Sequence, residues 1–316
     1  MRAKQNRRKH ADQGGAGING KYAEERVSGA EVRRWLARIL TLALAAGLAA
    51  CSGHTTSAPT PTGTPNPTRT PVSTSTPAPL PTGKSTSVSN GVLGPFVYQK
   101  ITNTNGYNTY VGNNMWAAGG SGMTQTLTAA DPGRWYVVAK ARAGNTGVLS
   151  YPNTQQLFNN WSGGGWNGDG AKTDTPISRL KQLTSTFAEN MNATPGTNAE
   201  AAYDVWLSGT SGPTEIMIWV DNANRGTGGA DQIGARAFGG QKWTLLQYHG
   251  GEIIWSSNVN KQSGAVDILA MLRDLQSRHL VSPGAAIGQI DFGFEICSTG
   301  GAPETFSVSH YSLTAK

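Results

Sequence analysis

The chain has 316 residues, enough for one large domain with a tail or for two small domains, and its formal net charge is +7. Residues 1–40 contain ten Lys/Arg and four Asp/Glu and contribute +6, whereas residues 90–316 contain fourteen Lys/Arg and fifteen Asp/Glu and sum to −1. The basic character therefore belongs to the N-terminal segment, and we expect no nucleic-acid partner for the rest of the chain.

The N-terminal segment has the pattern of an export signal. Arginines precede an apolar run at residues 39–46 that is too short to be a stable membrane span. The run ends in Leu48-Ala49-Ala50-Cys51, which resembles the lipobox of bacterial lipoproteins. The pattern predicts a signal peptide over residues 1–50, an exported protein and lipidation at Cys51. The alternative is ordinary cleavage, with Cys51 incidental.

Residues 51–89 begin with this cysteine and continue as a Ser/Thr/Pro-rich stretch. Because such a composition buries little apolar area, we expect an extended, solvated linker. A lipidated cysteine with this linker would tether the following domain near the membrane, the only membrane contact that we expect. Lipidation would use one of the two cysteines, so that Cys297 would have no disulfide partner.

Residues 90–316 are predicted to form one mostly β domain. Short apolar segments with strand composition, such as 134–139, 216–220 and 306–311, alternate with clusters of Gly, Asn and Pro. One segment differs, because apolar residues recur at roughly helical spacing from Val266 to Leu280. This spacing predicts one amphipathic helix over about 264–280, packed on an otherwise all-β body.

The segment 215–220 has an unusual non-core face. Strand alternation places its two isoleucines and Val220 on one face, and Glu215, Met217 and Trp219 on the other. A carboxylate is costly in a core, and a methionine and an indole are unexpected on a solvent face. A sugar-binding cleft explains all three, because sugar rings stack on aromatic faces while carboxylates perform the chemistry.

Two further strands place acids on a non-core face. In segment 289–297, Asp291, Gly293 and Glu295 share the face opposite the core residues, and Gly293 leaves room for a ligand or a backbone to approach. In segment 202–206, Asp204 shares a face with Trp206. Because the stretch between Asp204 and Glu215 reads as a hairpin turn, we expect these two acids to be neighbours.

Five motifs, in this order, resemble glycoside hydrolase family 12, which contains endoglucanases and xyloglucanases. The motifs are Asn113-Asn114-Met115-Trp116, Ser150-Tyr151-Pro152-Asn153, Ala202-Tyr203-Asp204-Val205-Trp206, Thr214-Glu215-Ile216-Met217-Ile218-Trp219 and Gly293-Phe294-Glu295. The resemblance implies an all-β jelly-roll sandwich of two curved antiparallel sheets, with a concave substrate groove on one face and one α-helix packed outside.

The resemblance also implies an activity, which is endo-acting, retaining hydrolysis of β-1,4-glucosidic bonds in cellulose-like β-glucans by a monomer without metal or cofactor. Glu215 would be the nucleophile, Glu295 the general acid/base, and Asp204 the acid that hydrogen-bonds the nucleophile. The residues expected to bind sugar are Asn114 and Trp116 in the non-reducing half of the groove, Met217 and Trp219 on its floor, and Trp161 at a distal subsite.

The residues also leave two other classes of protein open. A non-catalytic, lectin-like jelly roll that binds polysaccharide would keep an aromatic groove but would not need both Glu215 and Glu295. In a structural or adhesive surface domain, the face formed by Glu215, Met217 and Trp219 would be a coincidence. A reducing-sugar assay on soluble β-glucans distinguishes an enzyme from both.

Overall fold

The computed structural model describes residues 82–89, 96–102, 108–158, 175–209, 215–249 and 251–316. The predicted signal peptide, Cys51, most of the predicted linker and Trp161 lie outside the described residues. Within the described ranges, no helix is long and apolar enough to cross a membrane.

The described residues form sixteen strands, one short 3-10 helix at Ile177–Arg179 and the α-helix α1 at Ile268–Ser277. In chain order the strands are β1 Lys84–Ser89, β2 Phe96–Thr102, β3 Asn108–Gly112, β4 Thr124–Asp131, β5 Arg134–Lys140, β6 Asn153–Leu157, β7 Thr175–Pro176, β8 Leu183–Asn190, β9 Thr197–Ser208, β10 Glu215–Ala223, β11 Asp231–Phe238, β12 Gln241–Gln247, β13 Ile253–Ser257, β14 Ser263–Asp267, β15 Ala286–Thr299 and β16 Glu304–Ala315.

The strands form two sheets. One sheet has six strands in the order β1-β4-β5-β16-β8-β14. The other has ten, in the order β11-β12-β13-β10-β9-β15-β6-β3-β2, with β7 also paired to β15. The fold is the all-β jelly-roll sandwich that was predicted, with one departure: β10 and β13 are parallel, although the other strand pairs are antiparallel.

The main hydrophobic core joins side chains from both sheets. Val137 and Phe306 come from the six-stranded sheet, and Tyr203 and Phe292 come from the ten-stranded sheet. The rings of Tyr203 and Phe292 pack with centroids 4.6 Å apart. Because side chains alternate along a strand, every core residue of β9, β10 and β15 has neighbours that point to the opposite face of the sheet.

The α-helix is shorter than the predicted span of 264–280. Val266 belongs to β14, which pairs with β8, and Leu280 lies beyond the end of the helix. The helix begins after Asp267, whose side chain accepts a hydrogen bond of 3.0 Å from the backbone N–H of Ala270. This is a standard N-terminal cap, so the capping residue rather than the apolar spacing sets the start. The apolar side of α1 joins the main core.

Strand β1 lies inside the segment predicted to be linker. It pairs with β4, with Lys84 opposite Ala129 and Ser89 opposite Thr124. The six-stranded sheet therefore begins before residue 90. The Ser/Thr-rich composition of this stretch did not distinguish a strand from a linker, because Thr is frequent in strands as well as in linkers of this kind.

Candidate active site

Strand β10 divides its side chains between the two faces of the ten-stranded sheet. Its two isoleucines and Val220 point into the main core, as strand alternation requires. Glu215, Met217 and Trp219 point the other way. We call this second face of the ten-stranded sheet, which points away from the main core, the site face.

Met217 and Trp219 lie beneath other side chains on the site face. Their exposed fractions are 3% and 2%, so neither offers an open surface for a sugar ring in this conformation. They form a small apolar cluster separate from the main core. Its other members are Ala202, Leu246 and Ile254, with Ala230 and Tyr248 packed against it. Met217 and Trp219 lie on the face that strand alternation predicts for them. Direct contact of either side chain with a sugar requires the residues that cover it to move.

Asp204 lies beside Glu215 across the β9–β10 pair. Glu215 is opposite Trp206, and Met217 is opposite Asp204, so the two acids are diagonal neighbours. Their carboxyl groups are hydrogen-bonded, and this bond lowers the pKa of Glu215. A hydrogen bond between two carboxyl groups needs a proton on one of them.

Burial nevertheless raises the pKa of both acids well above the ordinary value. For Glu215 the next cause is the charge of Glu252, followed by that of Glu295. For Asp204 it is the charge of Glu215. Desolvation and like charges act in the same direction here, because both disfavour the ionised form of a carboxyl group.

Strand β15 contributes Asp291 and Glu295 to the site face. Asp291 is opposite Asp204, and the side-chain amide of Gln289 donates to its two carboxyl oxygens at 2.9 and 2.7 Å. Burial raises the pKa of Asp291 to about 8, although the hydrogen bonds from Gln289 and Trp206 act in the opposite direction. Asp291 is therefore an additional acid in the centre of the site.

Glu215 and Glu295 stand on two strands that are separated by β9. Glu215 is level with Trp206, and Glu295 is level with Glu200. Because these two positions of β9 are well separated, only the long side chains can bring the two carboxyl groups into electrostatic range. The two carboxyl groups are within electrostatic range of each other, since the charge of Glu295 contributes to the raised pKa of Glu215.

A tyrosine hydroxyl lies among these acids. Tyr151 is almost fully buried, and its hydroxyl donates to the backbone oxygen of Ala202 at 3.1 Å. Its pKa is raised well above the ordinary value, first by burial and then by the nearby carboxyl charges. Those charges belong to Asp204, Asp291, Glu295 and Glu215. Tyr151 therefore supplies a neutral phenol at the meeting point of the predicted catalytic acids.

A guanidinium group joins Glu295 to a second buried glutamate. Arg225 Nε lies 3.0 Å from Oε2 of Glu200, and Arg225 Nη2 lies 3.8 Å from Oε2 of Glu295. Arg225 also lies over the ring of Trp219, at 5.9 Å from the centroid. The cation thus contacts both an expected catalytic acid and the aromatic residue of the site face.

Glu252, which directly precedes β13, is a further acid near the predicted nucleophile. Its pKa is raised to about 7, first by burial and then by the charge of Glu295, while Arg225 acts in the opposite direction. Burial is also the first cause of the raised pKa of Tyr248, and Arg225 lowers it. The loops before β11 and β13 thus bring charged groups to the site face.

Asn114 and Trp116 lie in the loop after β3, and both are half-buried. Asn114 has a positive φ of 29°, and its backbone oxygen accepts a hydrogen bond of 2.8 Å from the N–H of Tyr151. This bond places the loop beside the segment that carries Tyr151 into the site. Trp116 is thus partly open to solvent, as a sugar-binding residue must be.

Gly293 serves the backbone rather than a ligand. A Cβ atom at this position would overlap the backbone oxygen of Pro152 and would also lie too close to Asn153. Of the two possibilities that the sequence left open, the structure therefore supports close approach of a backbone. Cys297, two residues after Glu295, is buried.

Besides Asp291, which the sequence placed on this face without assigning it a role, four residues of this site were not predicted as site residues, namely Tyr151, Glu200, Arg225 and Glu252. Two of them left a signal in the sequence. Glu200 continues the alternation that puts Asp204 on the site face, and Tyr151 lies within one of the family-like motifs. Arg225 and Glu252 left no such signal in the sequence, because their positions depend on loop conformation.

A jelly-roll sandwich that gathers buried acids with raised pKa values on one sheet face, beside half-buried tryptophans, is typical of a carbohydrate-active hydrolase. Such enzymes use carboxyl groups of differing ionisation as acid, base and nucleophile. The family profile described as Glycosyl hydrolase family 12 matches residues 107–316. The chain therefore belongs to glycosyl hydrolase family 12, and it is a glycoside hydrolase.

Solved structures with the same fold agree with this assignment. The native family 12 xyloglucanase from Bacillus licheniformis is 23% identical, with a TM-score of 0.58 over 73% of this chain and 100% of that chain. The endoglucanase cel12A from Rhodothermus marinus is 19% identical, with a TM-score of 0.58 over 73% and 99%. The xyloglucanase domain of NopAA from Sinorhizobium fredii, in complex with cellobiose, is 22% identical, with a TM-score of 0.55 over 72% and 99%. No curated protein sequence matches the chain.

Proposed function

We propose that the protein is an endo-β-1,4-glucanase that hydrolyses cellulose-like β-glucans (cellulose, mixed-linkage glucan or xyloglucan) with retention of configuration. The observation that carries this proposal is the arrangement of Asp204, Glu215 and Glu295 on one face of the sheet, with Asp204 hydrogen-bonded to Glu215 and Glu295 in electrostatic range of it. Membership of family 12 supports a β-glucan as the substrate class.

In the first step, the ionised carboxyl group of Glu215 attacks the anomeric carbon while protonated Glu295 gives its proton to the departing glycosidic oxygen. Asp204 keeps Glu215 ionised if it carries the proton that the two acids share. In the second step, Glu295 takes a proton from water, which attacks the same carbon and releases Glu215. Direct attack requires carboxyl groups about 5–5.5 Å apart.

The sugar chain would lie along the site face. We assign Asn114 and Trp116 to sugar binding in the non-reducing half, with Trp161 at a distal subsite. We assign Met217 and Trp219 to the floor of the groove near the cleaved bond. The half-buried state of Trp116 supports its role, because a stacking ring must keep one face accessible.

A lectin-like module is the competing function. It would need aromatic residues but no proton-sharing acids, and burying several carboxyl groups together destabilises a fold. Asp204 and Asp291 are buried, Glu215 is half-buried, and all three have raised pKa values, which favours an enzyme over a binding module.

A reducing-sugar assay on carboxymethylcellulose, barley mixed-linkage glucan and xyloglucan tests this function. We expect the wild type to release reducing ends from at least one of them, and Glu215→Gln to lose nearly all activity without unfolding. Glu295→Ala should lose most activity on polysaccharide but much less on aryl glycosides with an activated leaving group, which need no acid. Asp131→Asn, on the six-stranded sheet, is the control. Binding without release of reducing ends by the wild type would favour the lectin.

We also propose that residues 1–50 are a signal peptide, that Cys51 carries a lipid and that the Ser/Thr/Pro-rich stretch tethers the hydrolase domain outside the cell. The apolar run at 39–46 and the lipobox-like motif support this proposal. Wild-type protein should partition into the detergent phase, and Cys51→Ala should be released to the aqueous phase. Cys297→Ala is the matched control and should partition like the wild type. A soluble wild type that begins elsewhere than residue 51 contradicts the anchor.

A further inference from the structure

Glu200 is an acid for which the proposed two-step mechanism has no use. It is fully buried on β9, directly opposite Glu295 of β15. The charge of Glu295 acts on this carboxyl group and raises its pKa. Arg225 reaches both acids, at 3.0 Å from Glu200 and 3.8 Å from Glu295. A buried acid beside the catalytic acid needs a physical explanation.

Arg225 is held in place by contacts on several sides. Its backbone N–H donates to Oδ1 of Asn222 at 2.8 Å, and its Nη1 donates to the backbone oxygen of Thr146 at 2.9 Å. Its side chain is only 13% exposed, and it lies over Trp219. The guanidinium therefore cannot swing into solvent without breaking these contacts, and its position relative to the two acids is fixed.

The charges of this triad balance only if the two acids hold one proton between them. With both acids ionised, Glu200, Glu295 and Arg225 carry a net negative charge in a largely buried place. With one proton retained, they are neutral, and desolvation favours the neutral state. Burial raises the pKa of Glu200 well above the ordinary value, Arg225 lowers it, and the charge of Glu295 raises it.

We propose that Glu200 and Arg225 are positioning residues for Glu295, with Glu200 sharing one proton with Glu295 and Arg225 neutralising the charge that remains. This inference rests on the proposed function of Glu295. When Glu295 gives its proton to the leaving oxygen, both acids are briefly ionised, and Arg225 stabilises the new carboxylate. When Glu295 takes a proton from the attacking water, the neutral triad is restored. No proton, electron or co-reactant beyond those of the hydrolysis is needed.

Other titratable groups that interact with Glu295 or Arg225 stay constant in the test below. They are Tyr151, Asp204, Glu215, Tyr248, Glu252 and Cys297. One of them, Cys297, lies on the same strand as Glu295 and acts on Arg225. Substitution of Glu200 or Arg225 alone therefore isolates the triad.

The two positioning residues have opposite expected effects on the basic limb of the kcat/KM profile, which reports loss of the proton from the acid. Glu200→Gln leaves Arg225 paired with Glu295 alone, which favours ionised Glu295 and moves the basic limb to lower pH by about one unit or more. Arg225→Gln removes the cation and moves the limb to higher pH by a similar amount. Arg225→Lys keeps the charge and should lie nearer to the wild type.

Activated aryl glycosides give a second expectation, because they need no acid in the first step. Glu200→Gln should therefore lose at least tenfold more activity on polysaccharide than on the aryl substrate. Arg236→Gln is the matched control. It breaks the 2.9 Å ion pair between Arg236 of β11 and Asp274 of α1, neither of which forms an ion pair with the triad, and should leave the profile unchanged.

A direct measurement of protonation does not depend on activity. In full-length protein labelled with ¹³Cδ-glutamate, the carboxyl signals of Glu200 and Glu295, assigned with the two Gln variants, should titrate in two coupled steps, with one proton retained between them. A wild type inactive on every glucan but showing coupled titration would reject the proposed function and keep the proton-sharing triad. The inference is overturned if Glu200 and Glu295 titrate independently, each in a single step. It is also overturned if the basic limbs of folded Glu200→Gln and Arg225→Gln move in the same direction or do not move.

Discussion

Burial is the first cause of the raised pKa at each shifted acid of the site face. The acids differ in what lies beside them. Asp204 is hydrogen-bonded to Glu215, Asp291 is hydrogen-bonded to Gln289, and Glu200 forms an ion pair with Arg225. Such differing partners separate the ionisation of neighbouring carboxyl groups, which an acid/base pair requires.

Trp116→Ala should weaken the binding of long cello-oligosaccharides by roughly five- to 150-fold. This range follows from stacking on an aromatic ring, worth about 1–3 kcal/mol for a nucleobase, a scale that we apply to sugar. Short oligosaccharides that do not reach this subsite should be affected much less. Calorimetric titration in the Glu215→Gln background measures both affinities. Tyr136→Ala, a half-buried residue on the six-stranded sheet, is the control, and an equal loss for all chain lengths would show that Trp116 is merely structural.

At the residue scale, the sequence was sufficient to predict the face of the sheet on which an acid lies, wherever strand alternation decides it. The pattern of β10 placed Glu215 on the site face, and the short hairpin placed Asp204 next to it. The contact of Arg225 with Glu200 and Glu295 was not predictable, because it depends on the pairing of β9 with β15 and on the path of the loop before β11.

At the scale of elements, the pairing of β15 with β6 explains why a glycine stands near Glu295, the proposed catalytic acid. Gly293 is opposite Asn153, and the backbone oxygen of Pro152 occupies the space that a side chain would need. Pro152 also accepts a 3.1 Å hydrogen bond from the N–H of Phe294. The glycine therefore allows β15 to approach the segment that carries Tyr151 into the site.

Gly293→Ala should lower the free energy of unfolding by about 1–3 kcal/mol, the usual cost of forcing an extra methyl group into a packed site. Gly119→Ala is a matched control, because a Cβ there meets no atom within 4 Å. Chemical denaturation measures both. Equal stability of the two variants would contradict the close approach that the structure shows at Gly293.

Element boundaries were predicted less well than element types. The apolar spacing around Val266 suits a helix, but the cap at Asp267 starts the helix later and leaves Val266 in β14. The parallel pairing of β10 with β13 left no local signal, because it joins segments that are distant in the chain. Long-range pairing of this kind is decided by the packing of the whole sandwich.

At the scale of the whole molecule, the site reduces stability as the solution becomes less acidic. Asp291 has a pKa of about 8 in the folded protein, against an ordinary value of 3.8. An acid with a raised pKa binds more protons when folded than when unfolded. Its contribution is therefore fully present below about pH 4 and is lost as the pH rises towards 8.

The free energy of unfolding should accordingly fall between pH 5 and pH 7.5, by at most about 1.4 kcal/mol per pH unit for each such acid. Asp291→Asn should reduce this slope, because its side chain does not titrate and keeps an oxygen that accepts from Gln289. Urea denaturation at several pH values gives the slope for both proteins. An unchanged slope in Asp291→Asn would mean that Asp291 titrates normally.

The central claim is that Glu215 and Glu295 perform retaining hydrolysis on the site face. The most direct measurement is ¹H NMR of the anomeric protons within the first minutes of cleavage of a soluble β-1,4-glucan oligosaccharide, before mutarotation. Double displacement predicts that the β-anomer appears first and the α-anomer only later, at the rate of mutarotation. If the α-anomer appears first, a single displacement by water has taken place, the two carboxyl groups must stand roughly 6.5–9.5 Å apart, and Glu215 is not the nucleophile.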